Sequence, residues 1–102
     1  MTDATTELIR VIGVNFMNFT SEDIRSRSWV SGTFAGARHE LTFRVEGEGA
    51  QGQADLFLDG LEEAEFDLRG HILADIALVS RSADDAGSLV RISLEALTVE
   101  DW

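Results

Sequence analysis

The chain contains no cysteine, no proline, no tyrosine and no lysine, and each absence excludes something. Without cysteine there are no disulfides, no thiol nucleophile and no thiolate metal site. Without lysine there is no Schiff-base or ammonium general base, since all eight cationic side chains are arginine. Without proline nothing in the sequence interrupts long ladders of backbone hydrogen bonds. Long apolar runs are also missing, so no membrane association is expected. The opening MTDATTELIR has two acids and no basic stretch, which predicts neither a secretory signal nor a transit peptide and points to the cytoplasm. The NFT sequon at Asn18 then carries no meaning, because glycosylation requires export.

What is present describes an ordinary globular domain. The 102 residues are 44% apolar and 26% charged, with mean hydropathy near zero, and are read as a single domain over 1–102. A chain of this size buries roughly two thirds of its unfolded surface and keeps a net stability of about 5–15 kcal/mol, so a second subunit would be a useful supplement. Nineteen acids against eight arginines give a net charge of −11. That balance opposes phosphate backbones, and no nucleic acid is expected as a partner.

Periodicity supplies the elements. Glu7 to Phe19 (ELIRVIGVNFMNF) is rich in β-branched and aromatic residues and apolar on both parities, which predicts a strand covered on both faces and motivates a homodimer. TSED after it suggests one helical turn capped by Thr20 or Ser21. Arg27 to Gly36 reads as a second strand with Gly36 marking the turn out of it. From Glu40 to Glu46 the residues Leu41, Phe43 and Val45 alternate with polar ones, the pattern of a half-buried strand. A helix is predicted from about Gln53 to Glu63, with Gly60 an unfavourable residue in its interior. Ile72 to Leu78 and Val90 to Ala96, joined by the turn residues ADDAG, predict a hairpin. The sum is an α+β domain: a mostly antiparallel sheet of about five strands with one helix packed on a face.

Two local motifs imitate metal sites. His39 and Glu40 open the stretch HELTF like a zinc-protease helix, but that chemistry needs a second histidine four residues on, and position 43 is phenylalanine. On a strand, residues four apart are also about 13 Å apart, too far to share one ion. The same spacing prevents His71 and Asp75 from chelating together. A site joining His39 to His71, with Glu40 or Asp75, depends on strand order. DLFLDGLEEAEF places Asp55, Asp59 and Gly60 as a calcium loop would, yet Phe57 and Phe66 stand where oxygen ligands belong. No metal or cofactor is expected.

Eight acids and no arginine lie between Glu46 and Asp67, and removing them would take the charge from −11 to −3. Such a concentration of carboxylates suits a basic protein partner, whose approach it would steer. The expected function is therefore a non-enzymatic, cytoplasmic, homodimeric protein-interaction domain with Asp59, Glu62 and Glu63 as partner-binding residues. The competing expectation is a small-molecule-binding protein or enzyme, its apolar pocket between helix and sheet lined by Phe16, Phe34, Phe57 and Phe66, with His39 or His71 as polar contact. A weaker third is an inhibitor whose carboxylates imitate a nucleic-acid backbone.

Overall fold

Asp3 accepts a hydrogen bond from the backbone N–H of Thr6 at 2.7 Å and starts a helix, α1, over Ala4–Gly13. A computed structural model describes residues 3–101. The strand expected from Glu7 to Phe19 is thus corrected: Ala4, Leu8, Val11 and Ile12 recur at helical spacing and are buried on one face. An i, i+3, i+4 stripe occupies both parities of the sequence, which is why the segment seemed apolar on two sides. Val14 and Met17, beyond the helix, are exposed. The covering that a two-sided strand would have needed therefore falls away.

Four strands follow in two hairpins, β1 (Phe19–Ser31) with β2 (Phe34–Glu46), and β3 (His71–Ala83) with β4 (Leu89–Glu100). The first turn is at Gly32, whose φ of +58° only glycine takes at ease, and Gly36 sits inside β2. The helical turn expected at TSED is likewise strand, with an irregularity in the pairing between Ser21 and Asp23. The second turn is closed by the Asp84 carboxylate, which accepts from the N–H groups of Ser88 and Leu89 at 2.9 and 3.1 Å. Between the hairpins lies helix α2 (Ala50–Leu58), shorter than expected because Asp59 is extended and Gly60 takes φ +80°; Leu61–Glu63 then form one 3-10 turn. The fold class is α+β, with four antiparallel strands and two helices rather than five and one.

The sheet order is β1-β2-β4-β3, and all three pairings are antiparallel. Across the central pair Leu41 faces Leu94, Phe43 faces Ile92 and Val45 faces Val90, all essentially buried under the helices. Fully burying such a side chain contributes about 1.5–3 kcal/mol. Phe43 meets Phe16 and Phe19 at ring distances of 5.5 and 5.0 Å, and Phe16 meets Phe57 at 5.1 Å. The opposite sheet face, with Arg38, Glu40, Arg91 and Glu95 exposed on the two central strands, is not covered by either helix.

Candidate functional site

Gly60 reverses the chain after α2, and Leu61, 4% exposed, anchors the 3-10 turn to the core. The pinning directs Asp59, Glu62 and Glu63 outward around a concavity of about 450 Å³, whose other walls are Leu58, Gly60, Leu61 and, from β3, Ala77 and Leu78. The three expected partner-binding residues are brought together here, on a turn and a 3-10 segment rather than on one helix face. None of the three has a cation within ion-pair distance among the described residues, whereas Asp55 is held by Arg81 at 2.7 Å and Glu46 by Arg44 at 2.6 Å. The site is a mostly polar hollow with a negative rim and some apolar surface from Leu58, Ala77 and Leu78.

The two histidines also meet. His39 on β2 and His71 on β3, with β4 between them, line a cavity of about 260 Å³ at the start of α1, together with Asp3, Thr5, Ser26, Thr98 and Glu100. The His39 ring is 2% exposed. Its Nδ1 lies 2.7 Å from Ser26 Oγ and its Nε2 2.9 Å from Thr98 Oγ1. Thr98 donates to the Ala37 carbonyl at 3.4 Å, leaving its oxygen to accept from Nε2–H, so Nδ1 accepts from Ser26, which in turn accepts from Thr5 at 3.0 Å. This order of donors fits a neutral imidazole with the proton on Nε2. Burial first, then the neighbouring His71, push its pKa below the ordinary value, against the opposing pull of Asp3. Both ring nitrogens are occupied, which leaves His39 no lone pair for a ligand. Glu40 has the opposite parity to His39, and the irregularity in β3 between Leu73 and Asp75 turns Asp75 away from the face that His71 occupies, so both carboxylates lie on the uncovered face and do not join the histidines. Among the described residues no three metal-ligating side chains gather.

Phe16, Phe57 and Phe66 contact other phenylalanine rings inside the core, while Phe34 is 62% exposed near the β1–β2 turn. The four do not line one pocket.

Comparison with protein families, with curated proteins and with solved structures returns no match.

Sequence reasoning missed the rows that cross the uncovered face. One runs Trp29, Gly36, Val99, Ile72; the next runs Arg27, Arg38, Leu97, Asp75. Five of the eight arginines stand on this face, namely Arg25, Arg27, Arg38, Arg44 and Arg91. The signal was the alternation of arginine with serine in RSRS, which becomes readable once Arg27 to Gly36 is divided between two strands. Among the described residues no helix is long and apolar enough to cross a membrane.

Proposed function

We propose that the chain is a non-enzymatic, homodimeric protein-interaction domain of the cytoplasm that receives a basic partner at Asp59, Glu62 and Glu63. The observation that supports the reading is the concavity itself: three carboxylates with no cation in ion-pair distance among the described residues, beside the exposed apolar surface of Leu58 and Leu78. An arginine or lysine suits this combination, because its methylene stem can cover leucine while its head meets carboxylate. The charge concentration speeds encounter and makes it salt-dependent.

The test is titration with a peptide of alternating arginine and leucine. Reversal of Asp59, Glu62 and Glu63 to arginine is expected to weaken binding by about tenfold or more, a loss of about 1.4 kcal/mol. The equal charge change at Glu48, Asp85 and Asp101 should leave affinity nearly unchanged. If both triple variants bind alike, the concavity is not the contact. A second reading, ligand binding at the cavity of His39 and His71, is favoured by their convergence there but disfavoured by the full hydrogen-bonding of His39. The imidazole resonances separate the two: docking at the acidic rim leaves them in place during the peptide titration.

A further inference from the structure

Two arginine pairs face each other across strands on the uncovered sheet face, and only one is neutralised. Arg44 lies opposite Arg91. The Glu22 carboxylate, at the irregularity in β1, clamps both: it accepts from Arg44 Nη1 at 3.2 Å and from Arg91 Nε and Nη2 at 2.6 and 3.1 Å. The other pair, Arg27 opposite Arg38, has the same arrangement and no carboxylate within ion-pair distance among the described residues. Like charges placed directly across strands are destabilising, so this pair has a vacancy that the first pair shows how to fill. Asp75, in the same row at the far edge of the sheet, is a carboxylate that likewise has no cation within that distance among the described residues.

We propose that this face closes on the same face of a second copy about a two-fold axis parallel to the strands. Such an axis reverses the strand order across the contact and lays β1 over β3, and β2 over β4, of the other copy. Row then meets row. Asp75 of each copy comes over Arg27 of the other, with Arg38 one strand away, and Trp29 comes over Ile72, which is 51% exposed in the single chain. Stacked sheets lie about 10 Å apart, within reach of an arginine meeting an aspartate. Four strands about 4.8 Å apart and about 35 Å long offer on the order of 700 Å² per copy, close to the roughly 800 Å² per partner of a stable interface. One row farther on, Glu40 meets Glu95 of the other copy, a repulsion that costs affinity.

The proposal rests on the homodimeric part of the function above, and its test separates the two. In sedimentation equilibrium at micromolar concentration the wild-type chain is expected to be a dimer. Arg27→Asp alone and Asp75→Arg alone should each weaken dimerisation by about thirtyfold or more, since each places two like-charged pairs in the contact. Mixing the two variants should restore the dimer, because both pairs between positions 27 and 75 in the mixed species are again opposite in charge. Arg27→Gln and Asp75→Asn, which remove attraction without adding repulsion, should weaken it less, and Glu95→Gln should tighten it. Far-UV circular dichroism monitors the fold of each variant. A wild-type monomer overturns the homodimer and the interface together. A wild-type dimer indifferent to both charge reversals, or variants that fail to complement on mixing, overturns the interface alone.

Discussion

At the scale of single residues, the buried polar groups divide between an ion pair, Glu7 with Arg10, and a hydroxyl-bonded imidazole, His39. His39 is held between two hydroxyls, and burial, with His71 beside it, favours the neutral ring against the opposing pull of Asp3. Its folded pKa lies below the unfolded value of about 6.5, so between the two the unfolded chain binds more protons and stability rises with pH. The contribution is fully present above about 6.5 and is lost as pH falls through the lowered folded value, at no more than about 1.4 kcal/mol per pH unit. Urea unfolding from pH 8 down to pH 5 should show this slope in the wild type and not in His39→Gln. Equal slopes in both would mean that the ring is not kept neutral. The carboxylates Asp3, Glu7, Glu22 and Asp84, all held low by hydrogen bonds first, act in the same direction at more acid pH.

At the scale of elements, one glycine fixes how closely two strands and an indole approach. A Cβ on Gly36 would collide with the Thr98 carbonyl oxygen and come within 2.7 Å of Trp29 Cζ2. The clash involves backbone, which cannot swing aside, so Gly36→Ala should destabilise by about 1–3 kcal/mol and lower the melting temperature. A variant melting with the wild type would show that the strands have room to part there. Gly36 also illustrates what the sequence could and could not reveal. The β3–β4 hairpin and the alternation from Leu41 to Val45 were legible because a period of two and a turn rich in aspartate and glycine are local signals. Gly36 was read as a turn because close approach to Thr98, 62 positions away in the chain, has no local mark. Segment Glu7 to Phe19 was read as a strand because β-branched residues outweighed the helical spacing of Leu8, Val11 and Ile12. The cap at Asp3 and the burial of Glu7, 1% exposed and bonded to Arg10 and to the N–H of Arg69, show tertiary contacts deciding the matter. Of the candidate site, the acidic stretch was visible in composition, while its curvature around Leu61 required the fold.

At the scale of the whole molecule, the sheet has two edges and one bare face, and they are treated differently. Both edge strands are irregular: β1 shifts register between Ser21 and Asp23, and β3 between Leu73 and Asp75 and again between Leu78 and Ser80. The central β2–β4 pairing runs without a shift from Gly36 to Glu46. Irregular, charged edges resist strand addition. That face carries Trp29 beside arginines, residue types enriched in protein contacts, and among the described residues Arg27 and Arg38 lack the carboxylate that Glu22 supplies to Arg44 and Arg91. In the proposed dimer the helix side, with its packed phenylalanines, and the acidic rim beyond α2 lie outside the contact.

The sheet face away from the helices is the proposed contact surface. Amide resonances followed through a dilution series test it most directly. The account predicts concentration-dependent shifts gathered at Arg27, Trp29, Arg38, Ile72, Asp75, Leu97 and Val99, with Leu8, Val11 and Phe57 unmoved. Shifts gathered on the helix side, or a spectrum independent of concentration, would contradict it.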